Sequence, residues 1–292
     1  MRNVTADTLT RAFMDYCAAE TDPRLCSVLT SLATHLHAFV KETGLTHAEW
    51  RKGIELLTKA GQITDEERNE FVLFSDVLGV SSLVDMVNSP ADATSSSVLG
   101  PFHVLGAPEL PVGGDLLRDN DGMPLVIDGR VKDRQGRAIG GANIEIWQTA
   151  DNGLYSNQDP AQAAYNLRAS MTVGEDGRYG LSTVRPAPYM VPTDGPVGEL
   201  LNATGRDAWR PSHLHFIIQA PGYRTLVTEV FPSDDPYLDK DAVFGVREDL
   251  VMDYLLCNER EEIPEDFAAR DTIPVPFCRV SFDFTLCEAG SD

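Results

Sequence analysis

The sequence predicts an α+β protein, with a helical segment over residues 1–95 leading into an antiparallel β-sandwich over residues 96–292. Three observations carry that prediction. In the first part, apolar residues recur at helical spacing, with cap residues where helices should begin and end. After Pro90 the character changes: ADATSSSVLGPF is small and polar, then turns to glycine-proline, as a linker into a new domain does. From Leu125 onward, short alternating segments are separated by glycine turns, the pattern of strands packed as two sheets.

Each element can be justified in order. Asp22-Pro23 reads as an N-cap followed by proline at the first helical position. Leu25, Val28, Leu29, Leu32, Leu36, Phe39 and Val40 then mark one helical face, and Gly44 is suited to stop the helix. Thr46 with Glu49 forms a capping box ahead of the next helix, which Gly61 is expected to end; Thr64 with Glu67 repeats the device. The stretch EFVLFSDVLGVSSLVDMVN is strongly apolar and is expected to pack against the next domain or another subunit. Among the strand segments, LVIDGRV and ANIEIWQ flank DRQGR, RASMTV and RYGLSTV flank GEDG, and HLHFIIQ and RTLVTEVF flank APGY. Val280, Phe282, Phe284 and Leu286 alternate with polar residues near the end.

Composition narrows the function classes. The 292 residues suffice for one large domain or a core domain with a smaller one, and 42% hydrophobic with 24% charged residues is an ordinary globular balance. No apolar run approaches the roughly 20 residues that span a bilayer. MRNVTADTLTRAF lacks the apolar stretch of a secretory signal, so the expected location is the cytoplasm, without membrane insertion. The net charge of −21 repels nucleic acid and anionic membranes and keeps the chain soluble. A small aromatic anion can still enter a pocket that carries its own positive group. Cys17, Cys26, Cys257, Cys278 and Cys287 are odd in number and form no CxxC pair, which suggests reduced thiols rather than a disulfide framework or zinc site.

The strongest local signal for chemistry is Arg210-Pro211-Ser212-His213-Leu214-His215-Phe216. Residues two apart on a strand share a face, so His213 and His215 can present two imidazoles to one metal ion. The same pattern also arises as a hydrogen-bonded pair or a solvated edge. His35, His37 and His47 lie in the helical part and are poorer ligand candidates. No nearby HxxxE or HxD pattern supplies the two-histidine, one-carboxylate triad of iron(II) oxygenases. Two tyrosines stand at what read as exposed, turn-like positions. Tyr155 follows a strand in DNGLYSN, and Tyr189 lies in the proline-stiffened loop RPAPYMVPTDGPVG. Taken singly, Tyr155 reads better as a capping aromatic and Tyr189 as a loop packer than as ligands.

Taken together, the segments SSVLGPFHVLGAP, IWQTADNGLYS, RPAPYMVPTDGPVGELL, WRPSHLHFIIQAPGYRTLVTEVF and DAVFGVRED resemble the intradiol ring-cleavage dioxygenases of the catechol dioxygenase superfamily. The helical part is similar to the linker domain of the catechol-type branch, so the resemblance covers nearly the whole chain. It implies a non-haem iron(III) cofactor, one ion per subunit, held by Tyr155, Tyr189, His213 and His215. Phenolate is a hard anionic oxygen donor suited to iron(III), and coordination drives tyrosine deprotonation. By the same resemblance the substrate chelates the metal as a dianion while Tyr189 leaves it and takes up protons. Arg210 matches an active-site arginine that stabilises negative charge developing on the ring. The ring then opens between its two hydroxylated carbons, with dioxygen, to a cis,cis-muconate type product.

Pocket positions carried over from the family are Leu73, Asp76, Val98, Leu99, Gly100 and Pro101, with Val191, Pro192, Arg210 and Val243 completing the wall. A carboxylate at Asp76 is costly beside an apolar ring unless something hydrogen-bonds it, and a third ring hydroxyl can. FSDVLGVSSLVDMVN also resembles most the hydroxyquinol branch. The expected substrate is therefore benzene-1,2,4-triol in aromatic catabolism, with catechol or a chlorocatechol as the alternative. Glu229 stands where catechol-type enzymes usually carry glutamine, a departure that alters local charge. The resemblance further implies a homodimer through the N-terminal helices, with a phospholipid held at that interface. A non-enzymatic transthyretin-like binding sandwich and a metal-dependent hydrolase are the competing classes.

Overall fold

The structure is a computed structural model that describes residues 4–15, 21–65 and 68–290. Two compact units are present, Met1–Thr58 and Lys59–Asp292. The first contains α1 (Leu9–Met14), α2 (Pro23–Thr43) and most of α3 (His47–Ile63). The Asp22 side chain accepts from the Leu25 N–H at 2.8 Å, and Gly44 closes α2 in the left-handed region at φ 61°. At the start of α3 the Glu49 carboxylate accepts from the Thr46 N–H and hydroxyl at 2.9 and 2.7 Å.

Three sequence expectations need correcting here. Gly61 does not end α3, which runs on to Ile63; one glycine costs a helix only about 1 kcal/mol against alanine, too little to break it. Glu67 lies outside the described residues, and the next helix, α4 (Glu70–Val77), is capped instead by Asn69, whose side chain accepts from the Val72 N–H at 3.0 Å. Cys26 is disulfide-bonded, against the expectation of reduced thiols; an odd total excludes no single pair. Cys257 and Cys278 are free and buried, and Cys17 lies outside the described residues.

The second unit holds the rest. The long apolar stretch forms two helices, α4 and α5 (Val80–Asn88), separated at Leu78 and Gly79, where φ is 72°. A further helix, α6 (Pro196–Thr204), carries proline in its first turn. The strands are β1 (Gly114–Asp115), β2 (Pro124–Asp133), β3 (Asn143–Trp147), β4 (Arg168–Thr172), β5 (Arg178–Val184), β6 (Tyr189–Met190) and β7 (Trp209–Arg210). They continue with β8 (Leu214–Gln219), β9 (Leu226–Pro232), β10 (Val251–Met252), β11 (Leu255–Cys257), β12 (Phe277–Ser281) and β13 (Phe284–Leu286).

One sheet runs β1-β5-β2-β12-β11, with β13 also on β2, and the other runs β10-β9-β8-β3-β4. The central ladders β2–β5, β3–β8, β3–β4 and β8–β9 are antiparallel, while β12 and β13 join β2 in parallel. Strands β2 and β3, adjacent in sequence, lie in different sheets, as do β4 and β5. Their turns therefore cross the sandwich, whereas β8 and β9 close a true hairpin.

Leu125 and Ile127 of β2, Ile144 and Ile146 of β3, and Leu214, Phe216 and Ile218 of β8 belong to the apolar core between the sheets. Because successive strand residues face opposite ways, the alternate residues of β8 are turned to the other side, where Ile217 packs in a cluster with Trp147, Tyr155 and Tyr189. That second face carries the polar site.

Candidate metal centre and substrate cavity

Strand pairing assembles the donors. His215 stands opposite Trp147 of β3 on one side and Glu229 of β9 on the other. Tyr189 stands opposite Arg210 in the short β6–β7 ladder, and Pro211 and Ser212 lead from Arg210 to His213. Tyr155 sits in the loop after β3. Both tyrosines are buried, Tyr155 at 0% and Tyr189 at 6% exposure, which corrects the reading of exposed turn positions. Turn-like sequence marks a change of backbone direction, and here the direction is inward.

The polar atoms converge. Tyr155 Oη lies 3.3 Å from His213 Nε2 and 3.1 Å from His215 Nε2, and the two Nε2 atoms are 3.1 Å apart. His213 Nδ1 is 2.7 Å from the Pro211 carbonyl, which can only accept, so Nδ1 carries the proton and Nε2 keeps its lone pair. His215 is stacked on Trp147 at 4.6 Å with an interplanar angle of 6°, which fixes the plane of its ring. Tyr155 stacks on Phe102 at 4.7 Å and meets the Tyr189 ring edge-on at 5.5 Å. Gly100, at φ 69°, lets the backbone come close to His215; a Cβ there would lie 3.5 Å from the imidazole Cε1.

Burial pushes the His213 imidazole down to about 4, with Arg210 adding to it, and burial, with the neighbouring His213 and the Arg210 charge, takes His215 well below its ordinary value. Both rings are therefore neutral at pH 7 and able to coordinate. Burial raises the Tyr155 phenol well above its ordinary value, and the neighbouring Tyr189 raises it further. Burial also raises Tyr189, although Arg210 works against it. A high-charge cation is what stabilises phenolates in such a place. Two phenol oxygens and two imidazole nitrogens thus fit a hard trivalent ion. His213, His215 and Glu229 also offer donor atoms lying within 4.8 Å of one another.

Arg210 is held on both sides. Its Nε donates to Asp241 Oδ1 at 3.1 Å, its Nη2 donates to Glu229 Oε2 at 3.0 Å, and its Nη1 lies 2.9 Å from Glu229 Oε1. Burial alone would lower the guanidinium, but Asp241 and Glu229 outweigh it and hold it well above the ordinary arginine value. Asp241 is fixed in turn by the Gly245 N–H at 2.7 Å and the Val243 N–H at 3.3 Å. Gly245 must be glycine, because a Cβ there would lie 2.7 Å from Arg210 Nη2 and 2.8 Å from Glu229 Oε2.

Beside Tyr189 and Arg210 is a narrow cleft, lined by Leu73 and Asp76 of α4, Val98, Gly100, Pro101 and Phe102, then Val191, Pro192 and Val243. These segments are far apart in sequence and meet here. Leu99 does not line the cavity and is 44% exposed. Phe102 was missed by the sequence reading, although it closes the same LGPF motif. Burial raises the Asp76 carboxyl above its ordinary value, opposed by a hydrogen bond with Ser81 and by the Arg210 charge.

Comparison with known proteins shows the family. A family model described as catechol dioxygenase N terminus matches residues 22–96, and one described as dioxygenase matches residues 110–287. A hydroxyquinol 1,2-dioxygenase of Rhizobium sp. (strain MTP-10005) is 46% identical over 84% of this chain and 84% of its own. The protein of the same name from Nocardioides simplex is 45% identical over 93% of this chain and 92% of its own. The solved structure of hydroxyquinol 1,2-dioxygenase from Pseudomonas putida DLL-E4 superposes with a TM-score of 0.86 at 44% identity, covering 97% of this chain and 99% of that one. The chain belongs to the intradiol ring-cleavage dioxygenases of the catechol dioxygenase superfamily. It is a dioxygenase, and the binding-sandwich and hydrolase alternatives are set aside. Among the described residues, no helix is long and apolar enough to cross a membrane.

Proposed function

We propose that the chain cleaves hydroxyquinol, benzene-1,2,4-triol, between its two adjacent hydroxylated carbons, yielding 3-hydroxy-cis,cis-muconate and, by tautomerisation, maleylacetate. Tyr155, Tyr189, His213 and His215 would hold one iron(III) per subunit. When bound, that ion supplies a Lewis acid that draws electron density from a chelated ring and opens it to dioxygen. The observation that carries the substrate choice is a buried carboxylate, Asp76, in an otherwise largely aliphatic cavity beside Tyr189 and Arg210.

The chain's own residues divide the work. Tyr189 Oη accepts a proton from a substrate hydroxyl, and Tyr155 keeps its place against His213 and His215. Arg210, held by Glu229 and Asp241, places a fixed positive charge where negative charge develops on the ring. Asp76 accepts from the third hydroxyl, which catechol lacks. Leu73, Val98, Val191, Pro192 and Val243 exclude water from the ring face, and Gly100 and Pro101 shape the wall beside His215. Leu99 lies outside this wall.

For the remainder of the chain, we assign residues 1–95 to a helical linker and dimerisation domain and residues 96–292 to the catalytic domain. The N-terminal helices expose Leu25, Val28, Leu32, Leu36 and Phe39, which supports a homodimer through that face; phospholipid at that interface and a cytoplasmic location are carried over from the sequence reading. The test is oxygen uptake by iron-replete protein on hydroxyquinol, catechol and 4-chlorocatechol at equal concentration, corrected for autoxidation, with products identified. A strong preference for hydroxyquinol with maleylacetate as product is expected. Preference for either catechol overturns the substrate reading.

A further inference from the structure

Glu229 is fully buried in the middle of the β8–β9 hairpin, directly across from His215. Its Oε2 accepts from Arg210 Nη2 at 3.0 Å and from the Ser97 hydroxyl at 2.6 Å. Its Oε1 makes no well-directed hydrogen bond among the described residues; it lies 2.9 Å from Arg210 Nη1 and 3.4 Å from both His213 Nε2 and His215 Nδ1. His215 Nδ1 is likewise without a hydrogen-bond partner. Oε1 thus stands between the Arg210 guanidinium and the two imidazoles.

The charges around it do not cancel. Arg210 already has one carboxylate in Asp241, which takes its Nε and approaches its Nη2 at 3.4 Å. Glu229 is a second carboxylate on the same guanidinium, so the three side chains together carry one surplus negative charge. All three are buried, and an uncompensated charge in such surroundings is costly. The remaining place for a compensating cation is the donor cluster that Oε1 faces.

We propose that Glu229 is a positioning residue that ties Arg210 to the His215 side of the metal site and, through its negative charge, favours the trivalent ion held there. The proposal rests on the iron(III) reading above. Its charge makes iron(III) harder to reduce and pushes tyrosinate-to-iron charge transfer to higher energy. Glutamine at this position, the residue usual in the catechol-type enzymes that this sequence resembles, keeps the shape and removes the charge.

The experiment compares wild type, E229Q and E229D, each loaded with iron(III). It reads the visible tyrosinate-to-iron band and the rate of iron loss to an external chelator. The proposal expects the E229Q band at longer wavelength and iron loss about tenfold faster, the low end of the usual effect of mutating a group packed against a metal ligand. E229D, which keeps the charge, should return the band toward the wild-type position. A folded E229Q with unchanged band and unchanged iron loss overturns the proposal while leaving the iron(III) site intact. A wild type without any tyrosinate band overturns the iron(III) reading itself, and the proposal with it.

Discussion

Around Tyr155, His213 and His215 the polar atoms meet within 3.3 Å, on or beside strands whose register is set by a continuous core. Across the cavity, the wall is mostly aliphatic, comes from five separate chain segments and carries a single carboxylate, Asp76. The two halves are built by different physics. The donor half is determined by strand pairing, so one residue cannot change without disturbing ligands that share its face. The cavity half is a set of side chains brought together by loops and one helix, and apart from Gly100 beside His215 and Phe102 stacked on Tyr155, each can change with little effect on the donors. Chemistry and specificity are thus separable in this molecule.

The largest effect should come from breaking the donor half. H215A should lose iron(III) and reduce oxygen uptake to background on hydroxyquinol and catechol alike, measured by metal content and an oxygen electrode. If activity survives on one ring only, the two halves are not separable in this way. Next comes the joint between them. R210A should lower kcat by about a hundredfold to a thousandfold. It should also destabilise the fold by roughly 3–5 kcal/mol in chemical denaturation, because Glu229 and Asp241 are left buried without their cation. A large kcat loss without loss of stability would show that the pairing is not structural.

Changing the cavity half should give a smaller and more selective result. D76A should lower the ratio of kcat/KM for hydroxyquinol over catechol by about ten- to a hundredfold, the worth of one charge-assisted hydrogen bond. Activity on catechol should change little, and iron content should be unaffected.

Protonation provides two further checks. Because Tyr155 and Tyr189 are held above the ordinary phenol value, both are protonated in the metal-free protein at neutral pH. Loading must then release about two protons per ion, so iron(III) affinity rises with pH and falls as pH drops. Proton release in weak buffer measures this directly. The smallest effect concerns Asp85 on α5, which burial raises to about 6, with Arg247 opposing. A raised carboxyl binds a proton more tightly folded than unfolded, so it costs stability above pH 6, and that cost fades as pH falls toward 4. D85N should be more stable than wild type at pH 8, by less than about 1 kcal/mol since the group is half-buried and screened. The difference should vanish near pH 4.

The same contrast explains what the sequence revealed. Alternation along Leu214, Phe216 and Ile218 was enough to put His213 and His215 together on the opposite face, because a strand has only two faces. Asp22, Pro23 and Gly44 marked the ends of α2 because each satisfies a local backbone demand. The cavity was different. Nothing in the local pattern of Leu73, Val98, Val191 or Val243 brings them together, and only the family resemblance collected them. Glu229 shows the limit most clearly. Its difference from the usual glutamine was visible, but its contact with His215 depends on the β8–β9 register, and its surplus charge depends on Asp241, twelve positions further on. The burial of Tyr155 and Tyr189 was also hidden, since turn residues say where a chain bends and not which way.

The most direct test of the central claim is the iron content and visible spectrum of the purified iron-loaded protein, recorded beside H215A prepared in the same way. The account predicts one iron(III) per chain with a tyrosinate-to-iron charge-transfer band in the wild type, and neither in H215A. Stoichiometric iron without that band, or full iron and colour retained in H215A, would contradict it.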